Sequence, residues 1–123
     1  MPVPSLSFVI LFVAHPEKSS AFYSSLFKLT PIETSPTFVL FALPNGIMLG
    51  LWSRTTAKPS VLAGAGGCEI AFCEDDVDAV YADWEKRGIP MTQEPVDMEG
   101  GRAFVALDPD GHRIRVIRLA EAT

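Results

Sequence analysis

The fold is decided by the stretch FVILFVAHPEKS, residues 8–19, because the chain repeats its pattern once. An apolar run leads there into a helix start, and the same order returns in EIAFCEDDVD, residues 69–78. Each copy continues through a helical stretch to a strand pair joined by a tight turn, PNG at 44–46 and PDG at 109–111. This internal duplication predicts two copies of one βαβββ unit.

The predicted fold class is α+β, with tandem βαβββ modules forming a cup-shaped, partly open, mixed β-sheet barrel and the helices outside. A chain of 123 residues suits a single domain, 1–123. Its internal repeat is predicted to comprise a first module at 1–53, a linker at 54–67 and a second module at 68–123. The linker is assigned from its Thr, Pro, Ser, Ala and Gly content without periodicity. A second loose stretch, 94–101, is expected to be a plain connection, with a mobile flap over a ligand as the alternative.

Both predicted helices have a start signal and an apolar stripe. His15, followed by Pro16, and Asp76 are each expected to cap a helix with a side-chain acceptor. The apolar side chains recur at three- and four-residue spacing, which predicts that each helix packs on a sheet. They are Phe22, Leu26 and Phe27 in the first helix, and Val77, Val80, Tyr81 and Trp84 in the second. For Phe22, Tyr23, Tyr81 and Trp84 core packing is the expected role.

Composition limits the classes of function. Hydrophobic residues make up 48% of the chain and charged residues 20%, as in ordinary globular proteins. A net charge of −5 argues against nucleic acid as a partner, and no apolar run approaches the ~20 residues that span a membrane. Cys68 and Cys73 lie five residues apart in one predicted strand, too far apart to pair with each other. Without a signal-peptide pattern at the N-terminus, a cytoplasmic location is expected.

Strand parity gives each sheet two faces, because alternate residues of a strand point to opposite sides. One face carries smooth aliphatic side chains that a helix would cover. The other face is expected to line the cup, with Phe8, Ile10, Phe12, Met48, Gly50 and Trp52 in the first unit and Glu69, Ala71, Cys73, Arg113, Arg115 and Ile117 in the second. This second set mixes aromatic rings, a glycine, a carboxylate and guanidinium groups, as ligand sites do and dry cores do not.

Two strings of the sequence resemble the vicinal oxygen chelate superfamily, which includes glyoxalase I, extradiol dioxygenases, fosfomycin-resistance enzymes and bleomycin-binding proteins. They are LFVAHPEKSSAFY at 11–23 and LDPDGHRI at 107–114, and the resemblance covers nearly the whole chain. Within the superfamily, LGLWS at 49–53 and GRAF at 101–104, followed by DPDGH at 108–112, look closest to the phenazine-antibiotic resistance type of drug-binding protein.

The resemblance also implies where a metal would be held. In the metal-using members, ligands lie on the first strand of each half and on the last strand of one or both halves. Those places fall here on Phe8, Glu69, Gly50 and Arg115, which offer one carboxylate, a cation and two groups without a side-chain donor. No metal and no cofactor are therefore predicted. His15 and His112 are assigned capping or surface roles.

The leading hypothesis is metal-independent binding and sequestration of a small planar aromatic compound, a phenazine or related drug, in the cup of a dimer. The expected ligand-binding residues are Trp52, Phe8, Phe12, Met48, Gly50, Glu69 and Arg115. Trp52 would stack on the ligand and Arg115 would anchor a carboxylate or phenolate. The alternatives for these residues are that Trp52 seals a subunit contact and that Glu69 and Arg115 form a buried ion pair without a ligand role.

The alternative function is an enzyme: a glyoxalase-like lyase or isomerase, or a dioxygenase-type enzyme. Glu69 would be the general base and Arg115 would stabilise an enolate or oxyanion, which a raised pKa of Glu69 would support. A third hypothesis is an interaction module with a vestigial cup. The chain is predicted to be a binding protein rather than an enzyme, and the resemblance implies a homodimer.

Overall fold

The computed structural model describes residues 6–62 and 64–120. The chain divides into two compact units, of which the second begins at Gly64. Unit 1 contains β1 (Phe8–Val13), α1 (Pro16–Phe27), β2 (Glu33–Thr34), β3 (Phe38–Ala42) and β4 (Met48–Ser53). Unit 2 contains β5 (Glu69–Cys73), α2 (Val77–Lys86), β6 (Met91–Met98), β7 (Gly101–Leu107) and β8 (Arg113–Leu119). The predicted α+β fold of two βαβββ modules is confirmed.

Each unit has one four-stranded mixed sheet with the same topology. The strand orders are β1-β4-β3-β2 and β5-β8-β7-β6, and neither sheet is closed into a barrel. The first strand of each unit is parallel to the last, and the other pairs are antiparallel. The last strand therefore lies in the interior of the sheet, where side chains from three strands share each face.

The core of each unit lies between the helix and one face of the sheet. In unit 1, Leu11, Val13, Leu49 and Leu51 are buried beneath Tyr23 of α1, in agreement with the predicted parity. Unit 2 has the same arrangement, with Trp84 of α2 packed edge-on against Phe104 of β7 at a centroid distance of 5.4 Å.

One stripe assignment needs correction. The stripe of α1 was expected to include Phe22, but the buried residue at that level is Tyr23, together with Leu26. Phe22 is half-buried and packs edge-on against the Tyr23 ring at 5.1 Å. Phe22 and Tyr23 lie four and three residues before Leu26, so either ring is compatible with the spacing of a helical stripe.

The two helix starts differ. Asp76 caps α2 as predicted, since its Oδ1 accepts a hydrogen bond from the Ala79 amide at 3.0 Å. The prediction for His15 is wrong, because its side chain makes no capping hydrogen bond. An imidazole does not present the short side-chain oxygen that reaches the free amides of a first turn, and Pro16 already lacks one of those amides.

Both tight turns have the same backbone geometry. In the first, the Gly46 amide donates to the Leu43 carbonyl at 3.0 Å, and Gly46 has φ +89°. In the second, the Gly111 amide donates to the Asp108 carbonyl at 3.0 Å, again with φ +89°. This is a three-residue hairpin loop in which glycine alone takes the left-handed conformation. The antiparallel strand pairs expected at these turns are confirmed.

The stretch 94–101 corrects a prediction, because most of it belongs to strand β6 rather than to a connection or a flap. β6 is the edge strand of its sheet and shifts register between Met91 and Gln93 and between Gln93 and Val96. The second shift spans Pro95, which has no amide for the ladder and is tolerated at an edge or a bulge. Strand β2, the remaining strand that the βαβββ pattern requires in unit 1, was not located in the sequence either, because it is only two residues long.

The β6–β7 hairpin is fixed at its turn. Arg102 on β7 donates to both carboxylate oxygens of Asp78 on α2, each at 2.8 Å, and to Asp97 on β6 at 3.1 Å. At the turn, Gly101 has φ +140°, and a Cβ there would lie 2.0 Å from the Arg118 carbonyl oxygen. Only glycine fits that position without moving the backbone of β8.

Part of the predicted linker is ordered against unit 1, where Ala57 is buried. Cys68 and Cys73 are unpaired and exposed. Neither α1 nor α2, the helices of the described segments, is long and apolar enough to cross a membrane.

Candidate functional site

The face of the unit 1 sheet turned away from α1 is almost entirely apolar, and we call it the aromatic face. The register pairs Phe8 with Met48, Ile10 with Gly50, and Phe12 with Trp52. Strand β3 adds Phe38 opposite Trp52 and Leu40 opposite Gly50. Every unit 1 residue expected to line a cup therefore lies on this face.

Three rings of the aromatic face form a cluster around Trp52. The Trp52 and Phe12 rings have centroids 6.1 Å apart and are tilted by 35°. Phe38 meets Trp52 edge-on, with centroids also 6.1 Å apart. Further along the face, Phe8 is 52% exposed and Ile10 is 37% exposed. Large apolar side chains next to one another in a position accessible to solvent are typical of a binding surface.

Gly50 is one of the expected ligand-binding residues, and the structure shows what occupies the space beside it. A Cβ at position 50 would lie 3.0 Å from Cζ and 3.1 Å from Cε1 of Phe38. The missing side chain thus admits a ring of the protein itself. A ligand would contact the outer surface of Phe38 and Trp52 rather than the backbone of Gly50.

The corresponding face of unit 2 is charged, and we call it the charged face. Glu69 on β5 pairs in register with Arg113 on β8, and Ala71 pairs with Arg115. Arg115 Nε donates to Glu69 Oε2, and Arg115 Nη2 donates to Oε1 at 3.3 Å. Arg113 Nη2 lies 3.0 Å from the same Oε1. One carboxylate is therefore shared by two guanidinium groups.

These contacts determine the ionisation of Glu69. The hydrogen bond from Arg115 holds the pKa of Glu69 below its usual range, although partial burial opposes the shift, and the charges of Arg115 and Arg113 add to it. A carboxylate with a lowered pKa is a weak base. The raised pKa that would support a general-base role for Glu69 is not observed.

A cleft of about 310 Å³ adjoins the two arginines. It lies wholly within unit 2, where residues of β6, β7 and the start of β8 line it. The lining combines apolar side chains with hydrogen-bonding groups. The lining residues are Thr92, Gln93, Val96, Met98, Val105, Arg113 and Arg115. Arg115 also contacts Met98 across the cleft, with Nη1 3.8 Å from Sδ.

Sequence reasoning missed two important residues of these faces. Parity already placed Arg113 beside Arg115, yet only Arg115 was selected as a candidate. Phe38 could have been found by counting from the PNG turn, since residues at equal distances on either side of a hairpin share a face. The sequence alone could not show that Arg113 and Phe38 matter for the site, because it does not show which side chains are in contact.

Comparisons with family profiles and with curated proteins identify relatives of this chain. The profile of the Glyoxalase/Bleomycin resistance protein/Dioxygenase superfamily matches residues 5–116. The chain belongs to this superfamily. Among curated proteins it is similar to the phenazine antibiotic resistance protein EhpR of Enterobacter agglomerans, with 30% identity over 114 residues, which are 89% of this chain and 88% of EhpR.

Solved structures show the same fold. A protein from Agrobacterium tumefaciens, solved in solution by NMR, is 44% identical with a TM-score of 0.87, covering 97% of this chain and 100% of that one. A lactoylglutathione lyase from Agrobacterium tumefaciens has a TM-score of 0.72 at 21% identity, covering 96% of each chain. At that identity the likeness to the lyase shows the fold alone.

The superfamily's metal positions can now be compared with the residues that this chain carries. Phe8 and Gly50 lie on the aromatic face, and Glu69 and Arg115 lie on the charged face. Glu69 is already bound by two arginines, whose charge repels a divalent cation. These residues do not fit a metal. Within segments 6–62 and 64–120, no three His, Cys, Asp or Glu side chains are grouped closely enough to hold one.

His112 is buried at the end of the DPDGH turn. Its amide donates to Asp108 Oδ1 at 2.8 Å, and the Asp110 amide donates to the same oxygen at 2.9 Å. Asp108 thereby fixes the turn that begins β8. The DPDGH string therefore has a structural role: it forms the turn before β8, the strand that carries Arg113 and Arg115.

Proposed function

We propose that this protein binds and sequesters a small planar aromatic compound, a phenazine or related drug, without a metal. The observation that carries the proposal is the aromatic face, where Trp52, Phe12 and Phe38 form one ring cluster and Phe8 is exposed further along the same face. Stacking on such rings contributes ~0.5–1.5 kcal/mol beyond the burial of apolar area. Met48, which pairs with Phe8, adds a side chain that adapts to ligands of different shape.

The superfamily relationship supports the same role. EhpR is a phenazine antibiotic resistance protein by name, and the similarity extends over almost nine-tenths of both chains. Sequestration needs affinity and no chemical step, so a site without a metal or a free base is sufficient. The ion pairs of Glu69 weaken the enzymatic alternative, because its carboxylate would have to leave two arginines before it could accept a proton.

Tryptophan fluorescence tests the proposal directly. The chain has two tryptophans, and Trp84 lies in the core of unit 2. In the variant Trp84→Phe all tryptophan emission comes from Trp52, so bound phenazine should quench it in a saturable way. The matched variant Trp52→Ala should weaken phenazine binding about ten- to a hundredfold in calorimetry, the size expected for a lost stacking contact plus its buried area.

The outcome also distinguishes a binding role from a packing role for Trp52. Because Trp52 contacts two other rings, its removal should lower thermal stability measurably even where it contacts ligand. If Trp52→Ala binds phenazine as tightly as the wild type while stability collapses, Trp52 is a packing or interface residue and the proposal loses its support.

Metal independence has its own test. We expect elemental analysis of the purified protein to find far less than one zinc, iron, nickel or manganese per chain. Phenazine affinity should be unchanged by chelator. Close to one metal ion per chain, removed by Glu69→Ala, would contradict this part of the proposal.

A further inference from the structure

The charged face carries more positive than negative charge. Arg113 and Arg115 both contact Glu69, so the cluster contains two guanidinium groups and one carboxylate. The two arginines are not equivalent. Arg115 is 17% exposed and binds Glu69 through two nitrogens, whereas Arg113 is 41% exposed and contacts it through Nη2.

Arg113 is also left with an unsatisfied donor. Its Nε is buried and has no hydrogen-bond partner among residues 6–62 and 64–120. An unpaired N–H on a charged group is costly to bury. A ligand that supplies an acceptor to it therefore gains more than the usual energy of a hydrogen bond. Arg113 also lines the cleft of unit 2, so a ligand bound there lies next to its guanidinium group.

The rest of the cleft defines the remainder of the ligand. Val96, Met98 and Val105 offer apolar surface next to the arginines, and Gln93 offers an amide. A cleft of about 310 Å³ is at the small end of the range for ligand sites. It suits a group of about one ring that carries a negative charge at its edge.

We infer that the cleft of unit 2 is a binding site for a small aromatic carboxylate, anchored by Arg113 and positioned by the Glu69–Arg115 pair. The inference rests on the proposed function for its physiological ligand, and it deepens that function by assigning an acidic aromatic ligand class to the cleft of unit 2. It also revises the expected anchor, because the carboxylate partner of Arg115 is Glu69 itself.

Glu69 has two opposite effects in this arrangement. It holds Arg115 against the sheet, and it occupies donors that a ligand carboxylate would otherwise use. Replacing Glu69 by glutamine removes the negative charge and keeps a similar shape. Carboxylate binding should then become tighter, whereas a site that needed Glu69 as an acceptor for the ligand would bind more weakly.

Benzoate and benzamide are the probes, because they have the same shape and only benzoate is charged. The readout is the ¹H–¹⁵N resonance of Arg113 Nε, assigned by its disappearance in Arg113→Gln. In the wild type, benzoate should shift this resonance in a saturable way and benzamide should not. Dissociation constants are measured by titration calorimetry, because Arg113→Gln lacks the Nε resonance. In Arg113→Gln, the dissociation constant for benzoate should rise at least tenfold, and in Glu69→Gln it should fall severalfold.

Arg118→Gln is the matched control. It removes the same charge from the same strand, at an exposed residue that does not line the cleft. Benzoate binding should change less than twofold. An equal loss in Arg118→Gln and Arg113→Gln would show that net charge alone attracts the anion, and the inference would fall.

The two proposals can fail separately. If benzoate leaves the Arg113 Nε resonance unmoved, the inference is wrong even where phenazine quenches Trp52. If phenazine does not bind and benzoate shifts Arg113 Nε as expected, the proposed function fails and the carboxylate site stands.

Discussion

Glu69 should contribute to stability in a way that depends on pH. The Arg115 hydrogen bond lowers its pKa in the folded state below the usual value of a glutamate. A lowered pKa means that the stabilisation is fully present above the unfolded-state value and is lost as the pH falls through the folded-state value. At pH 7, Glu69→Gln should lower the free energy of unfolding by about 1–2 kcal/mol, since hydrogen bonds between charged, part-exposed groups contribute roughly that much.

The difference in unfolding free energy between the wild type and Glu69→Gln should shrink as the pH falls below 4.5, because protonated Glu69 resembles glutamine. Urea unfolding from pH 7 to pH 3, roughly the titration range of a carboxyl group, measures this. Glu94→Gln is the control, as Glu94 is exposed on edge strand β6. A constant difference at every pH would mean that Glu69 acts by packing rather than by charge.

At the residue scale, sequence parity could place side chains on a face but could not say what they touch. Alternation placed Gly50 and Ile10 on the same face, and the strand register pairs them there. That Phe38 fills the space above Gly50 depends on a rotamer and on a strand register, which alternation does not define. The same limit applies to Arg113, whose unpaired Nε is a property of the packed structure.

Among the elements, the two helix starts give a matched pair of variants. Asp76→Ala should destabilise the protein by about 1 kcal/mol, because the Ala79 amide loses its acceptor. His15→Ala should change stability by less than ~0.3 kcal/mol, since the His15 side chain makes no capping bond. Thermal or denaturant unfolding measures both. An equal loss in the two variants would contradict the difference between the caps.

Elements with strong local signals were predictable, and elements that depend on pairing were not. The βαβ order, both hairpin turns and the start of α2 follow from periodicity, Gly positions and a capping aspartate. β6 was missed because Pro95 and a glycine pair are local signals for a loop. The ladder with β7 overrides those signals, and the bulges at Gln93 and Val96 accommodate the proline.

For the whole molecule, the expectation to test is the homodimer. The aromatic face leaves Phe8 and Ile10 exposed, and apolar surface of this kind is usually covered in solution by a ligand or another chain. We predict a dimer at micromolar concentration by light scattering. Phe8→Lys should shift the equilibrium toward monomer if the second copy covers this face. A wild-type monomer under these conditions would contradict the prediction.

The duplication explains why the overall architecture was easier to predict than the site. Both units have the same order of strands and helix. The two copies of the sequence pattern, at 8–19 and 69–78, therefore support the same fold prediction. At equivalent positions, however, unit 1 carries Phe8, Met48 and Gly50, and unit 2 carries Glu69, Arg113 and Arg115. The repeat therefore determines where a face lies, and only the individual side chains determine whether it takes a ring or an anion.

Gly101 restricts which sequences can encode this protein. A library that randomises codons 98–102, sorted for soluble protein and then sequenced, should return glycine at 101 in the surviving clones, because any Cβ there meets the Arg118 carbonyl at 2.0 Å. Position 100 should vary freely in the same clones, since a Cβ there meets nothing within 4 Å. In a GG pair that looks uniform in the sequence, one codon would be under strong purifying selection and its neighbour would drift.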